Sequence, residues 1–437
     1  MKKYLFALLL FFLTAIFPVN SQSLYFPPLT GNNWDTVSFS AQGWNSVARD
    51  TLYQFLEQKH TKAFLILKDG KIIMEKYFGT FERDSIWYWA SAAKTLTAFL
   101  IGKAQEDGYL SISDTTSKYL GMHWTAAPLL KENKITIRHQ LTMTTGLDDG
   151  VPDDHCTLDT CLQYLADAGS RWAYHNAAYT LLSNVLETAT NKPLNLYTLQ
   201  NLNIKTGMSG LWLNVNYDQT FYSTARTMAR FGLLILNKGV WSTDTLLHDQ
   251  NYFQQMTHTS QNINNSYGYL WWLNGKGSYM LPQSQFEFFT DLIPPAPSDL
   301  IAALGKNDQK LYVVPSQKLI VVRMGDASGL SLYALSSFDS ELWTRLNAVM
   351  NTSTVEENQI SKTTAFPNPS SDYIEIKDID SRVSSFAIID ITGRVLRSEI
   401  FTKPGIDVHS LENGNYLVQF MDGKGIAISI VKISVIH

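Results

Sequence analysis

The end of the chain has a pattern that restricts its fold more than any other part of the sequence. Short segments of alternating apolar and polar residues are separated there by Thr-Gly, Pro-Gly, Asn-Gly and Asp-Gly pairs. Such alternation places every second side chain on one face of a strand, and these glycine pairs favour turns. The segments are residues 373–376, 386–391, 394–400, 416–420 and 426–435. The pattern predicts a small all-β sandwich over residues 365–437.

Two stretches of different composition precede this sandwich. Residues 353–364 are mostly polar, which is typical of a linker. Residues 22–352 have ordinary globular composition and are long enough to bury a core of their own. The 437-residue chain has a formal net charge of −4, so it lacks the basic surface that nucleic-acid binding requires. We therefore expect two folded domains and no nucleic-acid partner.

The first 21 residues have the pattern of an export signal. Lys2 and Lys3 precede an apolar stretch over residues 5–17, and Val19 and Ser21 give a small-residue cleavage pattern. The alternative is a transmembrane anchor, but the stretch is shorter than the ~20 residues that a spanning helix needs. We therefore expect export through the periplasm and no stable membrane span.

Between residues 22 and 352, strand patterns lie on either side of a mostly helical region. The predicted hairpins join residues 63–68 to 71–76 and residues 311–314 to 319–324. Residues 91–105 and 222–237 have helical periodicity. This order predicts an α+β fold with an antiparallel sheet, helices on its faces and a helical subdomain.

Ser91 and Lys94 form an S-x-x-K sequence at the start of the first predicted helix. Helical residues three apart lie on one face, so Lys94 can reach the Ser91 hydroxyl. A serine hydroxyl needs such a neighbour to act as a nucleophile, and a helix N-terminus supplies amide donors for an oxyanion. The alternative is a capping serine beside a solvated lysine. Ser429 and Lys432 repeat the pattern in a predicted strand, where their side chains point to opposite faces.

Tyr174 and Asn176 form a Y-x-N sequence. A phenol beside a cationic lysine can share its proton and act as a general base, and Asn176 can hold both the lysine and a substrate amide. The alternative is a core tyrosine with a capping asparagine. On an extended strand, His175 would point away from both neighbours, so we interpret it as structural. Ser260 and Asn262 form a competing S-x-N in a polar loop, which we rank lower.

Gly305 ends a predicted strand over residues 300–305. A glycine there lets substrate backbone lie close to an edge strand, although a simple turn glycine gives the same pattern.

Cys156 and Cys161 lie five residues apart in an Asp-rich loop. In an exported protein this spacing favours a local disulfide. The alternatives are two free thiols, or a metal site that uses His155 with both cysteines and lacks an evident fourth ligand. Nothing resembling H-E-x-x-H occurs among the nine histidines, so no cofactor is implied.

The order of these motifs resembles that of the serine β-lactamase and penicillin-binding-protein superfamily over roughly residues 45–345. The resemblance is to the class C branch, which includes esterases, D-amino-acid peptidases and 6-aminohexanoate-dimer hydrolases. The sequences ITIRHQLTMTTGL, STARTMARFGLLILNKG and YGYLWWLNG support it. It implies that Ser91 is the acylated nucleophile, that Lys94 activates it, that Tyr174 is the base that relays the proton, and that Asn176 contacts substrate and lysine.

The third motif of this superfamily is usually K-T-G or H-x-G, and Ala303, Leu304 and Gly305 stand in its place. The resemblance implies that Ala303 and Gly305 contact the substrate and that the amides of Ser91 and residue 303 hold the oxyanion. The lysine that attracts the substrate carboxylate in β-lactamases and peptidases is missing. This departure argues against β-lactams and D-Ala termini, and it fits an ester or amide without that anion.

The tail resembles the C-terminal sorting domain of the type IX secretion system. FPNPSSDYIEI, IIDITGRVLRSEI and IDVHSLENGNYLVQF occur in the order of that family, although the ending after Lys432 departs from the usual short basic finish. The resemblance implies that the type IX secretion machinery is a partner. The alternative is a carbohydrate-binding or adhesive β-module.

Together these features predict a secreted serine hydrolase for a small-molecule or peptide-like ester or amide substrate, acting through an acyl-enzyme on Ser91. The missing third-motif side chain leaves open a catalytically inactive sensor or surface-binding protein. A D-aminopeptidase or β-lactamase-type amidase is a further alternative.

Overall fold

The computed structural model describes residues 24–329, 334–350 and 363–437, apart from Thr392, Lys403, Lys424 and Ile426. The predicted export signal and nearly all of the predicted linker lie outside the described residues.

The described strands fall into two groups, one on either side of residue 350. The first group is β1 (Thr61–Lys68), β2 (Lys71–Tyr77), β3 (Trp87–Tyr88), β4 (Gly210–Val215), β5 (Asp218–Ser223), β6 (Val240–Trp241), β7 (Asp244–Thr245), β8 (Trp272–Leu273), β9 (Tyr279–Met280), β10 (Glu287–Phe288), β11 (Ile301–Gly305), β12 (Gln309–Val314) and β13 (Leu319–Gly325). The second group is β14 (Thr364–Phe366), β15 (Tyr373–Lys377), β16 (Val383–Asp390), β17 (Val395–Ile400), β18 (Gly405–Asp407), β19 (Gly414–Asp422) and β20 (Ala427–Val435).

The described α-helices all precede the tail. They are α1 (Ser46–Gln58), α2 (Lys94–Glu106), α3 (Ser117–Leu120), α4 (Leu129–Glu132), α5 (Ile137–Leu141), α6 (Asn176–Thr180), α7 (Leu182–Thr190), α8 (Leu194–Thr198), α9 (Ile204–Thr206), α10 (Ala225–Leu236), α11 (Gln250–Thr257) and α12 (Ser337–Met350). None of these helices is long and apolar enough to cross a bilayer.

The central sheet is antiparallel, with the order β2-β1-β13-β12-β11-β8. Both predicted hairpins are present, as β1–β2 and β12–β13. Asp69 and Gly70 have φ of 51° and 84°, and two positive φ values in a two-residue loop match the twist of the flanking strands. Pro315 begins the short turn between β12 and β13, because its ring fixes φ near the helical value.

Helices cover both faces of this sheet. A Cβ on Gly232 of α10 would lie 2.8 Å from the side chains of Leu311 and Ile320, so α10 packs closely on one face. Trp343 of α12 packs its ring 5.6 Å from that of Tyr312. Leu311 and Tyr312 are consecutive in β12 and point to opposite faces, which places α10 and α12 on opposite sides. The predicted α+β architecture is confirmed.

The predicted helix over residues 222–237 was wrong at its start. Tyr222 and Ser223 belong to β5, where they pair with Leu211 and Gly210 of β4. Thr224 then caps α10 by accepting a hydrogen bond from the Thr227 amide. Strand β5 also pairs with β3, so these residues form a three-stranded sheet of order β3-β5-β4 beside the start of α2.

The tail is all-β, as predicted. It consists of a three-stranded sheet, β14-β15-β18, and a four-stranded sheet, β17-β16-β19-β20. Alternate residues of both sheets, such as Ile374, Phe386, Val418 and Ile433, form a hydrophobic core that is separate from the core of the first domain. The short strands β14 and β18 were not predicted, because three residues are too few for a pattern of alternation.

Candidate active site

Ser91 and Lys94 lie at the start of a continuous helix. Residues Ala90–Ala93 form one 3-10 turn, and α2 begins at Lys94. Side chains three apart eclipse each other in a 3-10 turn, so the lysine extends over the serine. Lys94 Nζ donates a hydrogen bond to Ser91 Oγ at 3.0 Å. The structure therefore brings together the two residues that the S-x-x-K pattern singled out.

The turn that carries Ser91 is held in an unusual conformation. Ala90 has φ of 48°, which is unfavourable for a residue with a Cβ and is typical of functional sites. Strand β3 leads into this turn, and the Trp89 amide donates to the Phe221 carbonyl at 2.9 Å. The Trp89 indole donates to Ser223 Oγ at 2.7 Å. The three-stranded sheet thus anchors the backbone directly before the serine.

Tyr174 lies in the irregular segment immediately before α6. Its hydroxyl hydrogen-bonds to Ser91, and its ring stacks on Trp272 with centroids 6.0 Å apart. Lys94 Nζ lies 5.1 Å from the Tyr174 ring centroid and 4.2 Å from that of Tyr179. The serine hydroxyl is therefore in contact with both the lysine and the phenol.

Asn176 is the first residue of α6 and connects Lys94 to the loop before it. Its Oδ1 accepts a hydrogen bond from Lys94 Nζ at 3.0 Å, and its Nδ2 donates to Asp154 Oδ2 at 2.9 Å. His175 is buried and caps α6 by accepting from the Ala178 amide. His175 therefore has a structural role, as predicted. The extended strand assumed for residues 174–176 is absent, because α6 begins at Asn176.

Burial shifts the pKa values of the two candidate proton carriers in opposite senses. It lowers the pKa of Lys94 to about 8, although the carboxylates of Asp218 and Asp154 act to raise it. Burial raises the pKa of Tyr174, and the hydrogen bond with Ser91 offsets part of this increase. The neutral lysine is therefore accessible near neutral pH, whereas the phenolate is not.

Cys156 and Cys161 are joined by a disulfide, as favoured from the sequence. Their thiolates are consequently not free to bind a metal, and the alternative metal site with His155 was wrong. His155 Nδ1 instead lies 2.8 Å from the Asp218 carboxylate, and this hydrogen bond raises the pKa of His155. The disulfide loop is thereby joined to the tip of the β4–β5 hairpin.

Strand β11 passes close beneath the serine turn. A Cβ on Gly305 would lie 2.3 Å from the Trp89 carbonyl oxygen and 3.0 Å from the Ala92 amide nitrogen. Any other residue here would push the turn away from the strand. Ala303 shares this face of β11 but is fully buried. Lys306, which follows the strand, is exposed.

The backbone of β11 corrects one expectation. The Leu300 carbonyl accepts from the Asn274 amide, which lies just after β8. Backbone groups alternate between the two neighbours of an antiparallel strand, so the Ala303 amide faces β12. The amides of Leu304 and Lys306 face the other edge, which β8 leaves uncovered. The residue-303 amide is therefore unsuited to hold an oxyanion.

Comparison with known proteins identifies the family of this chain. Residues 49–329 match the family model described as beta-lactamase, and residues 364–435 match the secretion system C-terminal sorting domain. The chain belongs to the beta-lactamase family. An uncharacterized protein of Alkalihalophilus pseudofirmus is 23% identical over 301 residues, which cover 60% of this chain and 83% of that protein.

Solved structures share the fold of this beta-lactamase-family chain. A Bacillus anthracis protein with the provisional name 6-aminohexanoate-dimer hydrolase aligns with a TM-score of 0.55 and 19% identity, covering 72% of this chain and 87% of that one. EstCE1, described as a hydrolase with promiscuous acyltransferase activity, aligns with a TM-score of 0.52 and 14% identity, covering 71% and 98%.

The competing sequence patterns lie elsewhere in this beta-lactamase-family chain. Ser429 is buried in β20, whereas Lys432 of the same strand is exposed, so the two point apart as predicted. Ser260 donates its hydroxyl to the carbonyls of Tyr267 and Gly268 and has a structural role.

Sequence reasoning missed three residues that adjoin the site. Asp154 was noted only as part of an acidic loop, and its contact with Asn176 depends on how that loop folds. Tyr179 lies in α6, five residues after Tyr174, and its sequence position does not distinguish it from a core tyrosine. Asp218 comes from a hairpin distant in sequence, and no local pattern marks it.

Proposed function

We propose that this chain is a secreted serine hydrolase that forms an acyl-enzyme on Ser91. The observation that carries the proposal is the position of Lys94 Nζ, 3.0 Å from both Ser91 Oγ and Asn176 Oδ1, in a site where burial lowers its pKa to about 8. A buried amine with a pKa near neutrality is suited to take a proton from a serine hydroxyl.

The pKa directions assign the proton transfers. As Ser91 Oγ attacks the acyl carbon, neutral Lys94 accepts its proton. Tyr174, whose pKa is raised by burial, gives its proton to the leaving group and is reprotonated by the Lys94 ammonium, so that Lys94 is neutral again. Water then attacks the acyl-enzyme and gives its proton to neutral Lys94, the acid leaves, and the Lys94 ammonium returns the proton to Ser91 Oγ. This reverses the emphasis of the sequence-based hypothesis, in which Tyr174 was the base.

The oxyanion of the tetrahedral intermediate needs preorganised donors. We assign this role to the Ser91 amide together with the amides on the uncovered edge of β11, those of Leu304 and Lys306. Gly305 is needed for this arrangement, since only a residue without a Cβ allows the strand to approach the turn.

The substrate that fits best is an ester or amide without a terminal carboxylate. The position of the third motif holds Ala303, which is buried and carries no charge, so the chain has no cation there to attract such an anion. The names of two structural neighbours, an aminohexanoate-dimer hydrolase and a hydrolase with acyltransferase activity, are consistent with ester or amide substrates.

The sorting domain indicates that the protein is secreted or displayed at the cell surface. We propose that residues 1–21 direct export to the periplasm and that the tail, residues 365–437, then engages the type IX secretion machinery.

The test is to assay the full chain with p-nitrophenyl esters, ω-amino-acid oligomers, D-aminoacyl amides and nitrocefin, together with fluorophosphonate labelling. We expect ester or amide turnover and labelling in the wild type. Ser91→Ala should lose about 10⁴-fold or more of kcat and all labelling, because the nucleophile is removed. Ser429→Ala, the same change in the second S-x-x-K, should retain both.

Ala303 favours a second candidate, a ligand sensor without catalysis, and the same experiment separates the two. A sensor would give no steady turnover and no labelling that depends on Ser91. Preferential hydrolysis of nitrocefin or D-aminoacyl amides would instead indicate an amidase of the β-lactamase or D-aminopeptidase type.

A further inference from the structure

Asp154 is a buried carboxylate to which the proposed proton transfers give no role. It lies on the loop directly before the Cys156–Cys161 disulfide, and its Oδ2 accepts a hydrogen bond from Asn176 Nδ2 at 2.9 Å. Asn176 in turn contacts Lys94. The carboxylate therefore stands one residue behind the lysine in a chain of hydrogen bonds that ends at the nucleophile.

The side-chain amide of asparagine has two ends of similar shape and opposite polarity. With Oδ1 toward Lys94, the amide accepts from the amine. If the amide were reversed, Nδ2 would face Nζ, and two donor groups would be opposed in a buried site, where an unmade hydrogen bond is costly. A carboxylate only accepts, so Asp154 admits a single orientation of Asn176.

We propose that Asp154 is a positioning residue that orients Asn176, and through it Lys94, for attack by Ser91. This inference rests on the proposed hydrolase function, to which it adds one positioning residue.

Three contacts hold Asp154 in place. Its carbonyl accepts from the Ala177 amide of α6 at 2.7 Å. Its neighbour His155 binds Asp218 of β5, and the disulfide closes the loop one residue later. The backbone of Asp154 is thus fixed to the helix that carries Asn176, which keeps the two side chains in contact.

The test uses two substitutions that separate orientation from charge. Asp154→Ala removes the acceptor, whereas Asp154→Asn keeps an acceptor oxygen of the same shape but no charge. The exposed Asp159, in the same loop, provides the control Asp159→Ala. All four proteins are full chains, compared by pH profiles of ester turnover and of the rate of fluorophosphonate labelling.

We expect Asp154→Ala to lose about tenfold to 100-fold in kcat and in labelling rate, with little change in KM, because misplacing the lysine affects the chemical step. Asp154→Asn should restore kcat to within about threefold, and Asp159→Ala should match the wild type.

The pH profile gives a readout that a merely structural role would not change. The groups facing Lys94 are the carboxylates of Asp154 and Asp218, the imidazole of His155 and the phenols of Tyr174 and Tyr179, and both carboxylates raise the pKa of the amine. Removing the charge of Asp154 should therefore move the acid limb of kcat/KM, expected near pH 8 in the wild type, to lower pH in Asp154→Asn.

The inference would be overturned if Asp154→Ala kept the wild-type kcat and labelling rate. It would also be overturned if Asp154→Asn lost as much activity as Asp154→Ala and the acid limb of its pH profile did not move. If the wild type shows no turnover or labelling that depends on Ser91, the proposed function itself fails and this inference with it. The two failures are distinguished by the behaviour of the wild type.

Discussion

The chain contains the S-x-x-K pattern twice, once in each domain, and the two copies behave differently. Ser91 and Lys94 lie where a 3-10 turn passes into α2, and their polar atoms are 3.0 Å apart. Ser429 and Lys432 lie in β20, where the serine is buried and the lysine is exposed. A spacing of three joins side chains on a helix and separates them on a strand.

The surroundings of the two lysines differ as much as their backbones. Lys94 is enclosed by the rings of Tyr174 and Tyr179 and by Asn176, and burial lowers its pKa. Lys432 is exposed to solvent. The S-x-x-K spacing therefore supports chemistry only where a helix brings the two side chains together and other side chains enclose the lysine.

Replacing the lysines should also distinguish the two copies, with a loss second only to that of the serine pair. Lys94→Met should reduce kcat/KM about 10³-fold, because it removes the group that we propose accepts the Ser91 proton. Lys432→Met should leave kcat/KM unchanged. Steady-state hydrolysis of a p-nitrophenyl ester measures both effects.

Thermal unfolding of the same two variants shows whether the loss is chemical. The lowered pKa of Lys94 means that burial disfavours its charged form, so an apolar side chain of similar length should not lower Tm by more than a few degrees. A Lys94→Met variant that retains more than a tenth of wild-type activity would contradict the assignment of the proton acceptor.

Two glycines, one in each domain, should also differ when replaced by alanine, with a smaller effect on activity than the lysines. A Cβ on Gly305 would meet the Trp89 carbonyl oxygen at 2.3 Å, whereas one on Gly423, in a tail turn, meets nothing within 4 Å. Gly305→Ala should lower the free energy of unfolding by about 1–3 kcal/mol and kcat by about tenfold or more, because the serine turn must shift.

Gly423→Ala should change neither quantity measurably, and urea unfolding with ester kinetics tests both variants. Equal behaviour of the two alanine variants would show that the close approach of β11 to the serine turn is unnecessary for activity.

How far the sequence predicted this molecule depends on the range of the interactions involved. The hairpins around Asp69-Gly70 and Pro315-Ser316 depend on local turn chemistry, and both were predicted. Residues 222–223 were assigned to a helix because apolar spacing continues into α10. Their place in β5 depends on pairing with β3 and β4, which a local pattern does not reveal.

The candidate site divides in the same way. Ser91 and Lys94 are three residues apart, so helical geometry alone brings them together. Tyr174 and Asn176 were connected to them by the chemistry of a phenol and an amide beside a lysine and by the resemblance to a family, since no local geometry brings them close. Asp154 and Asp218 approach the lysine through a disulfide loop and a hairpin, so their roles required the structure. The backbone direction of Ala303 likewise required the register of β11 with β8.

The smallest expected effect concerns the tail as a whole. The hydrophobic core of residues 363–437 shares no residue with the core of the first domain, and the described atoms of Ser91, Lys94, Tyr174 and Asn176 hydrogen-bond only within that first domain. A chain that ends at residue 350 should therefore keep kcat/KM within about twofold of the full chain. Ester kinetics on the two purified proteins measure this.

A chain that ends at residue 336 is the matched control for this truncation. It lacks α12, whose Trp343 and Phe338 pack against Tyr312 and Phe55, so it should lose both the cooperative unfolding transition and activity. If the chain ending at residue 350 behaved like the one ending at 336, the tail would be part of the hydrolase fold. Independence of the two domains is expected instead, because a sorting domain that acts during secretion needs no part in the chemistry of the serine site.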